Sequence, residues 1–219
     1  MIIIINIMLS YLIGSVSGSL LLGKFLGFDI RTMGSKNAGG TNAFRTQGAV
    51  FGGLVIIIDI FKGYIATKYI PTLFLQFDSS IMYSNDLIII LCGFFAVVGH
   101  IYPVYYNFIG GKGAATAIGM ILAIYWPIVI LGFFIWLLIL ILSGYVGLST
   151  ILTSIFMIII SYIFYSSINN LYFLPFIIFF SLFIIFTHRS NIVRMVNGNE
   201  NRFHKIMLFH NLFNQSSDG

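Results

Sequence analysis

The chain has 219 residues, of which 59 % are hydrophobic and 8 % charged, with a formal net charge of +5. Its mean hydropathy of +1.02 excludes a soluble globular domain, and several uninterrupted apolar runs approach the roughly 20 residues that cross a bilayer. The aromatic share of 17 %, rich in Phe, suits lipid-facing helices, and the basic residues lack the continuous face a nucleic-acid partner needs.

The first predicted span runs about Ile2–Phe25. It lacks a basic n-region and a small-residue cleavage site, so it reads as a retained span and not a removed signal peptide. Within it Gly14, Ser15, Ser17, Gly18 and Ser19 form a small-residue run suited to close helix packing. Asp29–Gly48 then reads as a large polar loop, DIRTMGSKNAGGTNAFRTQG. Its Ser35, Asn37, Thr41, Asn42 and Arg45 offer donors for a small polar ligand, or self-capping turns in a solvated loop.

The second span, about Val50–Ile70, carries Asp59 and Lys62 three residues apart, hence on one helical face. Charges inside a span pair or line a polar cavity, and a structural ion pair is the reading preferred here over catalysis. The link from Pro71 to Asp86 holds Asp78 and Asp86 with no arginine, which places it outside. Cys92 is the chain's only cysteine and reads as a small buried hydrophobe. The third span, about Leu87–Tyr106, ends in Gly99-His100-Ile101-Tyr102-Pro103. His100 there is either a ligand contact or a group that caps a helix or bonds a carbonyl.

Next comes Gly110-Gly111-Lys112-Gly113-Ala114-Ala115-Thr116, a glycine-lysine turn between two apolar segments. A helix starting at about Gly113 or Ala114 points unpaired N–H groups back into the turn. With the helix dipole and the Lys112 ammonium they form an anion site, for which phosphate is the expected occupant. The turn departs from the nucleotide P-loop: no strand precedes it and the first glycine of that pattern is missing at the right spacing. The other reading is a flexible turn with one snorkelling lysine.

Ala114–Leu142 is too long for one ordinary span and short for two. Trp126-Pro127 falls inside it, and proline ends or kinks a helix at the preceding residue. Splitting it into about 114–125 and 127–143 also brings the basic segments Arg31–Arg45, Lys112 and Arg189–Lys205 to one face, read as cytoplasmic. A sixth helix, about Val146–Tyr165, carries Thr150 near its start, facing the cavity or bonding its own backbone. A seventh covers about Leu171–Thr187. The tail His188-Arg189-Ser190-Asn191-Ile192-Val193-Arg194, with Gly198, Glu200 and Arg202, reads as a short amphipathic helix on the membrane surface. The expected fold is therefore all-α: one polytopic bundle over residues 1–219 with about seven transmembrane helices, some short, N-terminus outside and C-terminus cytoplasmic. Among function classes, a metal site is not expected: acidic residues are few and no His-Glu-x-x-His occurs. No Gly-x-Ser-x-Gly elbow is present, and neither His100 nor His188 is followed by Asp five residues on. A transporter for a phosphorylated solute predicts inverted repeats, and none is visible.

Three spaced motifs remain: Asp29-Ile30-Arg31 with Gly34–Arg45; Gly99-His100 through Pro103 to Gly110–Thr116; and His188–Arg194 with Gly198 and Glu200. With Gly14-Ser15 and Asp59-Ile60-Phe61-Lys62-Gly63, they resemble the bacterial membrane acyl-phosphate:glycerol-3-phosphate acyltransferases, the PlsY family, nearly end to end. Gly40, Tyr102 and Thr150 are mild departures from the residues usual there. The resemblance implies transfer of a fatty acyl group from acyl phosphate to the 1-hydroxyl of glycerol 3-phosphate, giving lysophosphatidate and inorganic phosphate. It further implies no cofactor, a functionally coupled acyl-phosphate synthase, no nucleic-acid partner, and a multi-pass protein of the bacterial inner membrane whose active site faces the cytoplasm. Expected roles follow. Gly110, Gly111, Lys112, Gly113, Ala114, Ala115 and Thr116 cradle one of the two phosphates, and Arg45 clamps a phosphate bidentately. Ser35 donates to a phosphate or the acyl carbonyl, and His188 and Asn191 orient the acceptor or the carbonyl. The base is His188 or a substrate phosphate oxygen.

Overall fold

The computed structural model describes residues 2–73 and 85–208. The link expected to lie outside falls mostly beyond them, Asp78 included. Among the described residues the ordered elements are helices: α1 (Ile2–Gly14), α2 (Gly18–Leu26), α3 (Gly40–Lys68), α4 (Asn85–Ile101), α5 (Ala114–Tyr125), α6 (Pro127–Ser143), α7 (Val146–Ile163), α8 (Phe173–Thr187) and α9 (Arg189–Val196), with short 3-10 turns between some of them. Packing divides the chain into two compact units, Met1–Trp126 with Ser167–Phe173, and Pro127–Ser166 with Leu174–Gly219.

In the first unit, the expected opening span is broken. α1 and α2 meet at 43°, separated by Ser15–Ser17. The small-residue run, expected to serve helix packing, therefore also marks a break, at which backbone groups lose their helical partners. The polar Asp29–Gly48 segment is only half a loop. A 3-10 turn covers Ile30–Thr32, and α3 starts at Gly40, ten residues before the expected start of the second span. α3 is kinked at Gly48, whose φ of 87° and ψ of 178° suit glycine.

Beyond the kink α3 is sorted by face. Val55, Asp59, Lys62 and Ala66 are buried, at the spacing of one helical stripe, whereas Val50, Leu54, Ile57 and Phe61 are exposed. An exposed aliphatic stripe opposite a buried charged one is the inverse of a soluble helix, and it requires a lipid solvent. α3 crosses α5 at two glycines. A Cβ on Gly63 would overlap the Thr116 carbonyl, and one on Gly119 would overlap the Ile60 carbonyl. The backbones themselves are thus in contact, as small residues permit within a membrane. Leu20, Ile30, Ala38, Ala43, Phe51 and Val55 form a core beneath the polar segment, with Phe28 stacked obliquely on Phe51 at 5.4 Å between ring centroids.

α5 and α6 part at Trp126, as the proline predicts. In the second unit α6 packs on α7, and α9 follows α8 with a 53° bend. The sixth and seventh expected helices are slightly shorter than anticipated at their facing ends, stopping at Ile163 and starting at Phe173. Among the described residues, three helical stretches are long and apolar enough to cross a membrane (Gly40–Thr72, Asp86–Tyr106 and Val146–Ile163), the bent pairs α1–α2 and α8–α9 reach that length only when each is taken together, and α5 and α6 are shorter apolar helices.

Replacing Gly119 by Leu is expected to lower the unfolding midpoint in detergent by the equivalent of about 1–3 kcal/mol or more, because backbone must move. Gly53→Ala, where a Cβ meets open space, is the control and should change stability by no more than about 1 kcal/mol.

Candidate active site

The first polar segment is folded around one amide. Asn42, buried on the first turn of α3, donates through Nδ2 to the carbonyls of Asn37 at 3.1 Å, Met33 at 3.0 Å and Ile30 at 3.3 Å. Its Oδ1 accepts the Ser35 amide at 2.9 Å. Asn42 was a candidate ligand group. Its amide is instead taken up by the loop backbone, and it presents Ser35 at the loop crest, flanked by the positive φ of Gly34 and Lys36. Ser35, Asn37, Thr41 and Arg45 are half-buried around it.

Arg31 ties this loop to the next motif. Its guanidinium grips Asp29 at 2.7 Å and reaches the Tyr106 and Ile109 carbonyls at 3.0 and 3.4 Å, on the approach to the glycine-lysine turn. The hydrogen bonds from Arg31 hold the Asp29 carboxyl below its ordinary 3.8. A depressed carboxyl contributes stability above its unfolded pKa and loses it as pH falls through the folded one. The Asp29–Arg31 contribution is therefore intact at neutral pH and lost only in acid below that range.

At the turn, α5 begins at Ala114 as expected, with Gly113 as its cap at a φ of 89°. Gly110 and Gly111 spend their amides on the carbonyls of Ile101 and His100, both at 3.1 Å. These two bonds fold the turn back onto the end of α4. The amides that an α-helix cannot satisfy internally are those of its first turn, here at Ala114, Ala115 and Thr116, and they carry the positive end of the dipole. Lys112 is half-buried beside them. Thr116 is fully buried and its Oγ1 has no hydrogen-bond partner.

Beneath the turn lies a buried polar cluster. Lys62 Nζ sits 2.8 Å from Asp59 Oδ1, 2.9 Å from His100 Nδ1 and 2.7 Å from the Val16 carbonyl. An ammonium has three N–H donors, and here three acceptors surround it. On that assignment Nδ1 of His100 accepts and the imidazole proton is on Nε2. Val16 lies in the α1–α2 break, and the Gly18 amide beyond it points to Asp59 Oδ1 at 3.5 Å. The ion pair expected from the sequence is present. Its partners are new: it supplies the polar groups that the broken helix lost, and it holds His100. His100 neither caps a helix nor turns its ring to a carbonyl, and with 2 % exposure it is packed away from solvent.

In the second unit, His188 is buried, with Nδ1 2.9 Å from the Ile184 carbonyl. A carbonyl only accepts, so Nδ1 carries the proton and the Nε2 lone pair is the basic one. Asn191 is buried against Gly147 and donates to Glu200 Oε1 at 2.9 Å. Glu200 Oε2 in turn receives Arg194 Nε at 2.6 Å. Thr150 donates to the Val146 carbonyl at 3.0 Å and accepts from Trp136 at 3.2 Å, the backbone-bonding role named as its second reading.

A sequence profile described as glycerol-3-phosphate acyltransferase matches residues 4–198. The chain belongs to the glycerol-3-phosphate acyltransferase family. It is 40 % identical to the glycerol-3-phosphate acyltransferase of Bacillus subtilis (strain 168) over 91 % of this chain and 97 % of that one. The corresponding enzyme of Bartonella quintana (strain Toulouse) is 38 % identical over 89 % of each chain. The fold superposes with a TM-score of 0.79 on a crystal structure of PlsY (YgiH), an integral membrane glycerol 3-phosphate acyltransferase, in its glycerol 3-phosphate form. The two are 30 % identical over 92 % of this chain and 95 % of that one. A lysophosphatidic acid form of the same protein superposes at 0.77. The chain is accordingly a multi-pass membrane acyltransferase.

In this acyltransferase, Ser35 is set by the loop–helix junction that Asn42 ties together, Arg45 lies three residues further along α3, and Arg31 links the loop to the approach of the Lys112 turn. Asp59, Lys62, Arg31 and Glu200 were not named as site residues. Asp59 and Lys62 carried a signal, the cost of charge within a span. Arg31 and Glu200 carried none beyond membership in a motif, since their partners are set by folding.

Asn42→Ala should cost about 1–3 kcal/mol, from unpaired buried carbonyls, and lower acyl transfer at least tenfold. Ser35→Ala should lower acyl transfer without moving the unfolding midpoint. Thermal unfolding and specific activity on the same preparations separate the two roles.

Proposed function

We propose that this acyltransferase, acting as one catalytic domain over residues 1–219, moves a fatty acyl group from acyl phosphate to the 1-hydroxyl of sn-glycerol 3-phosphate. The products are 1-acyl-sn-glycerol 3-phosphate and inorganic phosphate, in bacterial phospholipid synthesis. The observation that carries the reading is the Lys112 turn capping α5, a phosphate cradle of amides and one cation at the start of an apolar helix. The solved relatives are a glycerol 3-phosphate form and a lysophosphatidic acid form, substrate and product of this transfer.

An acyl phosphate donor accounts for the chemistry of the proposed residues. The mixed anhydride is already activated and its leaving group is a stable anion, so no acyl-enzyme is required. The acceptor hydroxyl oxygen forms a bond to the acyl carbon, the carbon–oxygen bond to phosphate breaks, and inorganic phosphate departs. Catalysis then consists of juxtaposing hydroxyl and carbonyl and stabilising the developing oxyanion. We assign Gly110–Thr116 with Lys112 to one phosphate and Arg45 to a phosphate through its forked guanidinium. Ser35 donates to a phosphate or the carbonyl, and Asn191 orients the acceptor or the carbonyl. The hydroxyl proton goes to His188 Nε2 or to a phosphate oxygen of the substrate. Asn37 and Thr41 are assigned as secondary polar contacts. No cofactor is required.

On the bias of the basic segments we assign this chemistry to the cytoplasmic face of the inner membrane, with about seven crossings, the N-terminus outside and the C-terminus inside. A coupled acyl-phosphate synthase supplies the donor.

Labelled glycerol 3-phosphate offered to purified enzyme with acyl phosphate, acyl-CoA or acyl carrier protein should yield lysophosphatidate from acyl phosphate alone. Product from either thioester alone contradicts the donor assignment. Arg45→Ala should reduce kcat/KM by about 10²-fold or more, the loss of a charged bidentate contact. His188→Gln should remove an ionisation from the pH–rate profile if His188 is the base, and an unaltered profile assigns that work to substrate phosphate.

A further inference from the structure

The phosphate reading of the Lys112 turn leaves one question: what fixes the turn in space. Gly110 and Gly111 have given their amides to the carbonyls of Ile101 and His100. Both bonds lead back to the last residues of α4, and His100 makes a second contact. Its ring lies so close to Gly111 that a Cβ there would overlap Nε2, with Cε1 and Cδ2 at 2.8 and 3.0 Å. The imidazole edge and the Gly111 backbone therefore touch directly, and any side chain at that position would lift the turn off the ring.

The ring itself has little freedom. It is buried to 2 % exposure, and its Nδ1 is held by Lys62 Nζ at 2.9 Å and lies 3.3 Å from Asp59 Oδ1. Those two residues are fixed in turn by the Val16 carbonyl and the Gly18 amide at the helix break. A continuous chain of contacts thus runs from the α1–α2 break, through the α3 ion pair and the His100 ring, to the backbone of the turn bearing Lys112.

We propose that His100 is a positioning residue for acyl transfer. Its imidazole, held at Nδ1 by the Asp59-paired Lys62, is the floor on which Gly111 rests, and it sets the height of Lys112 and the first turn of α5 against the substrate phosphate. This rests on the phosphate reading above. His100 touches no reacting atom in this account. It acts through the turn, and it makes Gly111 the position where the smallest added group does the most harm.

The test is a size exchange. Gly111→Ala should raise the KM for glycerol 3-phosphate at least tenfold. His100→Asn keeps an acceptor where Nδ1 stood for Lys62 but removes the ring edge against Gly111, and should raise KM only a few-fold. In the double variant the methyl group occupies the space the ring vacated. Its KM should return to within about threefold of His100→Asn alone, far below the product of the two single effects that independent sites give. The unfolding midpoint in detergent is measured for all four proteins. If Gly111→Ala does not fold, recovery of folded enzyme in the double variant is the equivalent supporting result. Multiplying single effects, a harmless Gly111→Ala, or a double variant no better than Gly111→Ala overturns the proposal. Lys112→Met in the same assay keeps the two claims apart. An unchanged KM there ends the phosphate reading, whereas the coupling between positions 100 and 111 would still show in the midpoints.

Discussion

The arrangement depends on a charge that cannot leave the membrane. Asp59 and Lys62 lie within a span, with 0 % and 5 % exposure, where an unpaired charge costs several kcal/mol. Removing one member of such a pair costs about 3–5 kcal/mol, comparable with the 5–15 kcal/mol that stabilises a whole domain. The pair is tolerable because its surroundings answer Lys62 and Asp59 Oδ1, although Asp59 Oδ2 has no hydrogen-bond partner. Lys62 meets three acceptors, and one of them is a carbonyl freed by the break between α1 and α2. The broken helix and the buried ion pair each supply what the other lacks, since lipid offers no hydrogen bonds to either.

The same economy extends to the site. A membrane enzyme for phosphorylated small molecules must hold multiply charged oxyanions next to hydrocarbon. In the proposed reading it does so with few charges: Lys112 and Arg45, together with the amides at the start of α5. Dipoles fixed in a helix end need no solvent to orient them and cost little to keep in a low dielectric. The price is rigidity in the supporting backbone. Gly110 and Gly111 are bonded to the end of α4, Asn42 binds the loop that presents Ser35, and Arg31 ties one to the other. Each of these is a backbone–polar contact, not an apolar one, so the polar segments are held in register by directional bonds while the aliphatic stripes face lipid.

Much of this was legible in the residues. Pro127 located the α5–α6 break, and the glycines before Ala114 located the start of α5. The Asp59–Lys62 pair was visible because three residues of helix separate them. Other features were not legible, for physical reasons. Gly14–Ser19 is apt both for close packing and for a break, and only the capture of Val16 and Gly18 by the α3 charges decides between them. Gly40–Arg45 is polar enough to read as loop, yet its buried Ala43 joins a core with Leu20 of α2 and its Asn42 binds the loop backbone, so tertiary contact draws the helix back to Gly40. His100 depends on partners about 40 residues earlier in the chain, and no local pattern could have named them. Asn42 looked like a ligand group because a loop-folding amide and a substrate-binding amide have the same composition.

The most direct measurement is the structure of this chain with glycerol 3-phosphate bound in the absence of an acyl donor. The account predicts a substrate oxyanion within about 3 Å of Lys112 Nζ and of amides in the first turn of α5, with His100 still seated against Gly111. Substrate phosphate bound away from both Lys112 and Arg45, or a turn displaced from the His100 ring when the ligand is in place, would contradict it.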